Sequence, residues 1–513
     1  MKKIQKNKNQ LLFSSNDIRQ IRQSGIHLKD VKKQLDLYKQ GSTYLNLIRP
    51  CTVHDGILTV TSAQRKELVS FYEKNSPHYK LMKFVPASGA ASRMFAEWFS
   101  VRNQGGLRSA GFRKSFFNNI RKYPFYFLIQ QNKRAVQFIR QRNINGILDY
   151  ILTEKGLKYG WLPKALIPFH VYGGNNAYTA LEEHLYEAAH YLRGSGGVCH
   201  VHFTISQEHQ KEILKKINAV KGECEKKLSV KYKISLSIQS PSTNMLAADI
   251  EDQPLRDEAG RMIFRPGGHG SLLGNLNRLN ADFIFIRNID NIPPQSLGAK
   301  IVPYRKMIGG VAMRFQEEIF DSIRRLEASR VPVADIEKIQ VFCASKLNIH
   351  FSRNFMNQSL KEKMKNLYVL LNRPFRVCGV VRNNREPGGG PFWVEENDGH
   401  MTLQIVENAH VDKGKIDQTV IWSRARYFNP VDMVCCIKNH QGRKFDLSNY
   451  VNNNSYTISI KNEKGRRAKA LEMPGLWNGS MAYWNTVFIK LPLFVFNPVK
   501  EVHDLLRPGH FIS

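Results

Sequence analysis

The sequence lacks the features that mark several common classes of protein. It has no apolar run near the roughly 20 residues that a membrane-spanning helix needs, and long runs such as Leu491–Phe496 have the length of a strand. Cysteine is scarce, with seven residues in 513 and no CxxC pair, which argues against a zinc module and fits a reducing compartment. The basic segment Met1–Gln10 is followed by no apolar stretch of the secretory kind. We therefore expect a soluble cytoplasmic protein that does not associate with a membrane.

Acidic residues are also few, and the sequence has instead a large excess of basic ones. There are 76 Lys and Arg against 43 Asp and Glu, which gives a formal net charge of +33. The basic residues are spread out, chiefly over 2–8, 113–122, 133–142 and 464–469, without a helix-turn-helix, zinc-finger or RNP-like motif. This pattern favours a solvated basic surface over a dedicated nucleic-acid site, which is the alternative. An anionic small-molecule substrate is compatible with the same charge.

Strand and helix patterns alternate through the middle of the chain. Strand candidates are separated by helical segments, and these candidates are 81–85, which reads as a buried strand, and 198–206, 234–238 and 282–287. The alternation predicts an α/β fold with a mainly parallel central sheet flanked by helices. We expect a helical N-terminal extension and a strand-rich C-terminal region that includes a strand at 419–423. The predicted domains are 1–80, 81–371 and 372–513.

The first candidate functional segment follows the predicted strand 81–85. Small residues fill 87–92, and a helix predicted at 92–99 begins with Ser92 and Arg93. Small side chains let backbone N–H groups approach a phosphate, and a helix N-terminus adds positive potential there. Arg93 would add a forked cation for a phosphoryl group. The alternative is a tight strand–helix turn with Arg93 in solvent, and no Walker-type Gly-Lys-Ser/Thr follows.

A second segment places three glycines around a histidine. It runs from Arg265 to Ser271 and contains Gly267, Gly268, His269 and Gly270. Glycines expose the backbone to whatever lies close by, so this loop is a candidate binding loop. A turn that carries a surface histidine is the alternative.

A third segment is an apolar run that ends in polar residues. The run 283–287 leads into Asn288-Ile289-Asp290-Asn291, so the carboxyl end of a central strand delivers a carboxylate. Ligands of open α/β sheets gather at the carboxyl ends of strands. Asp290 suits Mg²⁺, which prefers one or two carboxylates together with substrate phosphates. An Asx turn at the strand end is the alternative.

These three motifs, in this order, resemble those of the nucleotidyltransferases that make nucleoside-diphosphate sugars, above all the UDP-sugar pyrophosphorylases. In those families a glycine-rich signature ending in Thr-Arg opens the fold, a Pro-Gly-His-Gly loop contacts the nucleoside, and an Asn-x-Asp-Asn strand end holds the metal. The matching segments here are 87–94, 267–270 and 288–291. The resemblance implies a nucleotidyltransferase core of the GT-A or Rossmann-like type.

Further segments fit the same resemblance. Lys164 matches a Pro-Lys segment near the phosphates, and Gln239 matches a glutamine that reads the uracil edge. The loop 386–390, followed by Glu407, resembles the sugar-side loop and the glutamate that accepts sugar hydroxyls. Lys500, in Phe-Asn-Pro-Val-Lys, resembles a late lysine that returns to the phosphates.

The resemblance therefore assigns a role to each candidate residue. Catalysis and phosphate neutralisation fall to Arg93, Lys164 and Lys500. Nucleotide binding falls to Ala87, Ser88, Gly89, Ala90, Ser92, Gln239, Gly268, His269 and Gly270. Sugar binding falls to Gly389, Gly390 and Glu407, and Mg²⁺ binding to Asp290. The implied reaction is transfer of a nucleotidyl group from a nucleoside triphosphate, with UTP the first candidate, to a sugar 1-phosphate with release of pyrophosphate.

The whole chain also resembles a bacterial family known as domain of unknown function 4301. The sequence segments shared with that family include KFVPASGAASRMF, FRPGGHGSL, PGGGPFW and FNPVK. The loop 87–94 has one glycine, Gly89, where the pyrophosphorylases usually have three. That departure keeps open an alternative function, a catalytically silent protein of the same fold that binds a nucleotide or nucleotide sugar.

Overall fold

The computed structural model describes residues 13–105, 110–173, 176–384, 386, 388–396, 398–463 and 465–510. Residues 1–12 of the predicted extension, Pro387 of the loop 386–390 and Lys464 of the last basic segment lie outside these ranges. Within them, no helix combines the length and the apolar character needed to cross a bilayer.

Helices and strands alternate along most of the described chain. The α-helices are α1 (Ser15–Gln23), α2 (Leu28–Gln40), α3 (Ser62–Asn75), α4 (Ala96–Asn103), α5 (Ala110–Asn119), α6 (Tyr126–Gln130), α7 (Lys133–Arg140), α8 (Ile144–Leu152), α9 (Ala180–Tyr191), α10 (Gln210–Leu228), α11 (Leu273–Asn277), α12 (Gly298–Leu326), α13 (Val333–Ser345), α14 (Arg353–Met356), α15 (Leu360–Leu371) and α16 (Ile416–Ser423). The strands are β1 (Asn46–Pro50), β2 (Thr52–Val53), β3 (Gly56–Leu58), β4 (Leu81–Pro86), β5 (Pro168–Tyr172), β6 (Asn176–Thr179), β7 (Val198–Ile205), β8 (Lys231–Ile238), β9 (Met245–Leu246), β10 (Phe264–Arg265), β11 (Phe283–Arg287), β12 (Phe375–Arg382), β13 (Gly390–Glu395), β14 (Met401–Val406), β15 (Tyr427–Phe428), β16 (Asp432–Cys436), β17 (Thr457–Glu463), β18 (Arg466–Glu472) and β19 (Asn485–Lys490).

One large central sheet organises the molecule. Its strands lie in the order β2-β3-β19-β12-β16-β11-β4-β7-β8, and β15 pairs with β12 beside this path. Along that path every neighbouring pair is parallel except the two pairs that β16 makes with β12 and β11. The carboxyl ends of β4, β7, β8, β11, β12 and β19 therefore meet at one edge, which we call the carboxyl edge.

Both faces of the sheet are covered, which is why β4 and β11 are apolar almost without interruption. In β4, Leu81 and Val85 face a core shared with α3, α9 and α12, whereas Met82 and Phe84 face a second core shared with α11. The predicted α/β fold, a parallel-rich sheet flanked by helices, is confirmed.

The first 80 residues are not only helical, as the sequence predicts, but also contribute strands. Helices α1 and α3 begin at capping boxes formed by Ser14 with Asp17 and by Thr61 with Gln64. Between α2 and α3, however, β1 pairs with β13 and β3 pairs with β19. These partners lie more than 300 residues away in the chain, so no local pattern could indicate them. The domain boundaries at 80 and 372 remain predictions, although the central sheet takes strands from all three predicted domains.

The strand predicted at 419–423 is wrong, because this segment belongs to helix α16. Its β-branched and aromatic residues favour a strand, but tertiary contacts decide otherwise. The Gln418 side chain accepts a hydrogen bond from the Leu47 N–H and donates one to the Leu47 carbonyl. These bonds join the helix to β1, whose backbone groups would otherwise lie unpaired on that side.

Candidate active site

The turn after β4 begins between the ends of two neighbouring strands. Ile289 N–H, just past β11, donates to the Pro86 carbonyl at 3.3 Å. Ala87 N–H donates to the carbonyl of Thr204 in β7 at 2.9 Å. The segment 87–93 therefore lies at the carboxyl edge, where the sequence places it.

Backbone hydrogen bonds join this turn to the segment that carries Lys164. Ala91 N–H donates to the Leu162 carbonyl at 2.9 Å, and Lys164 N–H donates to the Gly89 carbonyl at 3.3 Å. Across the described chain, the N–H groups of Ser88, Gly89 and Ala90 have no protein acceptor, and Gly89 and Ala90 are exposed. These N–H groups can therefore donate to an anion from solvent.

The helix predicted to begin at Ser92 begins later. Residues 91–93 form a 3₁₀ turn, in which Ser92 and Arg93 are exposed, and α4 starts only at Ala96. Any contribution of the helix dipole to the loop is correspondingly weaker, since that effect fades within one turn.

A carboxylate held by two lysines lies beside this turn. The Nζ atoms of Lys164 and Lys500 each lie 3.1 Å from Asp290 Oδ2. Lys164 Nζ also donates to the Val499 carbonyl at 2.8 Å, and the Val499 N–H donates to the Asp290 carbonyl at 2.9 Å. Three segments far apart in the sequence therefore converge on one group of charges, which we call the Asp290 cluster (Lys164, Asp290 and Lys500).

Burial and charge oppose each other in this cluster. Burial by itself raises the pKa of Asp290, but the ammonium groups of Lys500 and Lys164 outweigh it and lower the pKa below its usual value. Burial also lowers the pKa of Lys164, despite the nearby carboxylate. The Lys500 side chain is 44% exposed, in contrast to 13% for Lys164. Lys500 is thus the lysine of the pair that solvent reaches more readily.

The donor set at Asp290 fits a magnesium ion only when a substrate supplies further oxygens. Asp290 Oδ1 is buried and has no hydrogen-bond partner among the described residues, so one carboxylate oxygen is left for a cation. Among the described residues there is no group of three or more His, Cys, Asp or Glu that could hold a metal. One carboxylate plus phosphate oxygens is a coordination pattern that Mg²⁺ accepts.

Arg93 adjoins this cluster without contacting Asp290. The Met94 carbonyl accepts a hydrogen bond from the Val502 N–H at 2.9 Å, which places the turn 91–93 next to the segment that carries Lys500. The Arg93 side chain is exposed and forms no ion pair within the described part of the chain. The structure thus brings two of the three predicted catalytic cations onto Asp290 and leaves the third in solvent nearby.

A second group of charges lies buried beneath the Asp290 loop, and sequence analysis missed it. Glu187 accepts from Lys83 Nζ at 2.6 Å and from Arg287 Nη1 at 3.0 Å, and Arg305 Nε lies 3.5 Å away. Arg305 also pairs with Asp432. We call these five residues the Glu187 cluster. The signal was present, since Lys83 and Arg287 interrupt otherwise apolar strand runs.

The Glu187 cluster supports both loops that form the Asp290 cluster. Arg287 Nη2 donates to the Asn291 carbonyl at 2.6 Å, one residue after Asp290. Arg305 Nη2 donates to the Val495 carbonyl at 3.2 Å, five residues before Lys500. The buried guanidinium groups therefore fix the backbone on which Asp290 and Lys500 are mounted.

The glycine–histidine loop packs against the late segment 474–477. A Cβ on Gly270 would collide with the Pro474 carbonyl oxygen, so a glycine is required there by this close approach. The Gln239 side chain donates from Nε2 to the Gly267 carbonyl at 2.9 Å. Gly268 accepts from the Ser271 N–H and begins the 3₁₀ turn that follows. Gln239 thus holds the loop, and its Oε1 accepts no hydrogen bond from the described residues.

His269 forms a second site group with Glu407 and Trp477. The His269 and Trp477 rings are stacked, with centroids 4.0 Å apart. Trp477 Nε1 donates to Glu407 Oε1 at 3.3 Å, and His269 Nε2 lies 3.8 Å from the same oxygen. Gly390 pairs with Val406, so the loop 386–390 lies next to Glu407. We call His269, Glu407 and Trp477 the Glu407 cluster.

One short segment connects the two site clusters. Asn291 Nδ2, next to Asp290, donates to the Pro430 carbonyl at 3.3 Å. The neighbouring Asn429 N–H donates to the Gly389 carbonyl at 2.8 Å. Arg507 pairs with Glu386 at 3.7 Å, which links the same loop to the segment that carries Lys500. The predicted phosphate-side and sugar-side residues therefore share the carboxyl edge.

Comparison with known families shows which family this chain belongs to. The model of the family described as "Domain of unknown function (DUF4301)" matches residues 14–511. The chain belongs to the DUF4301 family. The resemblance to this family that the sequence suggests is confirmed. A search of curated proteins finds no match for this DUF4301 protein.

Several solved structures are distantly similar to this DUF4301 protein. The uridine diphosphate N-acetylglucosamine pyrophosphorylase from Trypanosoma brucei has 11% identity and a TM-score of 0.47, over 93% of this chain and 74% of that one. A UDP-glucose pyrophosphorylase mutant from Leishmania major has 11% identity and a TM-score of 0.44, over 96% and 77%. A putative UDP-N-acetylglucosamine pyrophosphorylase from Entamoeba histolytica has 10% identity and a TM-score of 0.41, over 85% and 80%. Similarity this distant does not transfer an activity.

Proposed function

We propose that this DUF4301 protein is a sugar-1-phosphate nucleotidyltransferase. It would transfer a nucleotidyl group from a nucleoside triphosphate, with UTP the first candidate, to a sugar 1-phosphate and release pyrophosphate. The observation that carries the proposal is the Asp290 cluster, in which two lysines and a carboxylate with a free oxygen meet beside a turn of unpaired N–H groups. That combination suits a polyphosphate, which needs cations, N–H donors and an anchor for its metal ion.

The chain's own groups would act mainly by positioning and by neutralising charge. Phosphoryl and nucleotidyl transfers need no covalent enzyme intermediate, since in-line attack requires alignment of the two oxygens and stabilisation of the phosphate charge. Lys164, fixed on the Val499 carbonyl, would hold the phosphates in place. Lys500 and Arg93, which are more exposed, would close onto them from either side.

Magnesium would be held by Asp290 Oδ1 together with phosphate oxygens. When bound, such an ion neutralises phosphate charge and orients the groups that react. At the other end of the edge, the loop 267–270 and Gln239 would hold the nucleoside. Glu407, with Gly389 and Gly390 beside it, would receive the sugar.

A screen for pyrophosphate release tests the proposal directly. All four nucleoside triphosphates are combined with a panel of sugar 1-phosphates, with Mg²⁺ and with EDTA in its place. The expected result is release that requires one triphosphate, one sugar phosphate and Mg²⁺ together. Nucleotide binding without release of pyrophosphate would instead support the alternative, a catalytically silent nucleotide-binding protein. That alternative is suggested by the single glycine in the loop 87–94. Absence of both would overturn the proposal.

A further inference from the structure

The Glu407 cluster contains an aromatic residue that the predicted site did not include. Trp477 is half-buried, and one face of its indole ring is covered by His269. Gly475 permits this stacking, because a Cβ there would collide with the His269 ring. Arg376 Nη1 donates to the Trp477 carbonyl at 2.6 Å, and this arginine is fully buried. The backbone of Trp477 is thus fixed, one face of its indole is covered, and the side chain remains partly open to solvent.

Hydrogen bonds orient Glu407 in this cluster and leave one of its oxygens free. His269 Nδ1 accepts from the Leu476 N–H at 2.9 Å, so the ring proton of the neutral histidine is on Nε2, facing Glu407. Burial lowers the pKa of His269, which keeps the ring neutral. Glu407 Oε1 thus faces two donors, Trp477 Nε1 and His269 Nε2, whereas Oε2 has no partner among the described residues. The side chain is 32% exposed, so Oε2 can receive a ligand.

An aromatic surface next to a free carboxylate oxygen matches the chemistry of a pyranose. The C–H groups on one side of the ring are weakly positive and apolar, and they pack on the negative face of an indole. The ring hydroxyls donate to a carboxylate, and each such bond to a charged acceptor is stronger than a neutral one. Both groups disfavour a bare phosphate, which has no C–H groups to pack on the indole and has the same sign of charge as the carboxylate.

We propose that Trp477 is the residue that recognises the hexopyranosyl ring of the sugar phosphate, together with Glu407 Oε2. This inference rests on the proposed function, since it names the part of the substrate that the Glu407 cluster receives. It adds that a free phosphate binds elsewhere, at the Asp290 cluster, and makes no contact with the indole. It also assigns the sugar-binding surface to a late loop, 474–477, that packs on the glycine–histidine loop.

Tryptophan emission tests this inference without requiring turnover. Glucose, galactose, mannose and N-acetylglucosamine 1-phosphates are titrated into the full-length protein, with inorganic phosphate as the comparison. We expect at least one sugar phosphate to change the emission and inorganic phosphate to leave it unchanged. In Trp477→Phe the emission change should disappear, and in Trp477→Ala calorimetry should show affinity for that sugar phosphate reduced about tenfold or more.

The matched control is Trp422→Phe, because Trp422 is also stacked, on Phe392, but belongs to α16. This variant should keep both the emission change and the affinity. The inference is overturned if no sugar phosphate binds, or if Trp477→Ala binds it as tightly as the native protein. Binding that depends on Trp477 without any pyrophosphate release would preserve the inference and refute the nucleotidyltransferase. Release of pyrophosphate with an unchanged KM for the sugar phosphate in Trp477→Ala would support the nucleotidyltransferase and refute the role of Trp477.

Discussion

The two clusters of carboxylates and cations around β11 differ in what encloses them. In the Glu187 cluster, Lys83, Arg287 and Arg305 surround Glu187, and all of these side chains are almost fully buried. In the Asp290 cluster, Lys500 is 44% exposed and one oxygen of Asp290 has no partner within the part of the chain that the structure describes. The first arrangement stabilises a backbone, and the second leaves charged groups available to a ligand.

The electrostatics of the two clusters follow from this difference. Burial by itself would raise the pKa of Glu187, but Arg287, Lys83 and Arg305 lower it well below its usual value. Burial lowers the pKa of Lys83 to about 8, so the lysine is still mostly charged at neutral pH. Three cations against the two carboxylates Glu187 and Asp432 leave a formal charge of +1 beneath the Asp290 loop. Both clusters therefore add positive potential where an anionic substrate would bind.

The largest effect is expected when the buried cluster loses its central carboxylate. Glu187→Gln leaves three cations with one fewer buried partner, and breaking a buried pair typically costs about 3–5 kcal/mol. The free energy of unfolding, measured with urea, should fall by about that amount. Glu337→Gln, at an exposed position of α13, is the control and should change it little. A loss below about 1 kcal/mol for Glu187→Gln would show that the buried charges do not stabilise the fold.

The exposed cluster should respond in the opposite way, losing activity and keeping stability. Lys500→Ala and Arg93→Ala each remove one cation that would stabilise phosphate charge, which by precedent lowers turnover about 10²–10³-fold. The Tm should stay nearly unchanged, because both side chains reach solvent and exposed charges contribute little to stability. Pyrophosphate release and thermal unfolding measure the two quantities. Lys361→Ala, on the exposed side of α15, should affect neither. Turnover at the native level in either variant would refute the assigned roles.

A third carboxylate extends the comparison, because no cation among the described residues offsets its burial. Glu183 Oε1 is hydrogen-bonded to His170 Nδ1 at 2.8 Å and to the Tyr172 hydroxyl at 2.7 Å. Burial raises the pKa of Glu183 to about 8 and lowers the pKa of its neighbour His170 to about 3, so both groups are neutral in the folded protein at pH 6. Glu183 and Glu187 are both buried, but the pKa of Glu183 is raised and that of Glu187 is lowered, because cations surround only Glu187.

This third carboxylate predicts an effect that is spread over several pH units, a slope of stability with pH. The pKa of Glu183 is raised from 4.5 to about 8 on folding, so its contribution is full below about pH 4.5 and declines as the pH rises through 8. The decline is at most about 1.4 kcal/mol per pH unit. Urea unfolding at pH 5, 6.5 and 8 should show native stability falling relative to Glu183→Gln, which cannot ionise. Parallel profiles for the two proteins would contradict the raised pKa.

Much of the fold could be predicted from the sequence because the central strands are encoded locally. The runs at 81–85 and 282–287 are apolar because both faces of the sheet are covered, and they match β4 and β11 closely. The strands β1 and β3 and the helix α16 could not be predicted, because each depends on partners far away in the chain. Local propensity there is weaker than tertiary contact.

The candidate site shows the same division. Lys164, Asp290 and Lys500 were predicted through a resemblance between short motifs, and the structure brings these three together. The Glu187 cluster was missed, because a lysine or arginine within a strand run does not reveal which carboxylate it will meet. Trp477 was not among the predicted site residues, since a tryptophan is more often a core anchor than a ligand contact.

The amino-acid sequence by itself determined that polar residues follow the apolar strands directly and that small residues form the turn 87–92. Folding decided which of these groups meet. Lys164 and Lys500 reach Asp290 across separations of 126 and 210 residues. Folding also decided that Glu187 is surrounded by cations, whereas one oxygen of Asp290 has no partner among the described residues. The reason is that burial and neighbouring charges, and not the residue type, set whether a carboxylate stabilises the fold or is available to a ligand.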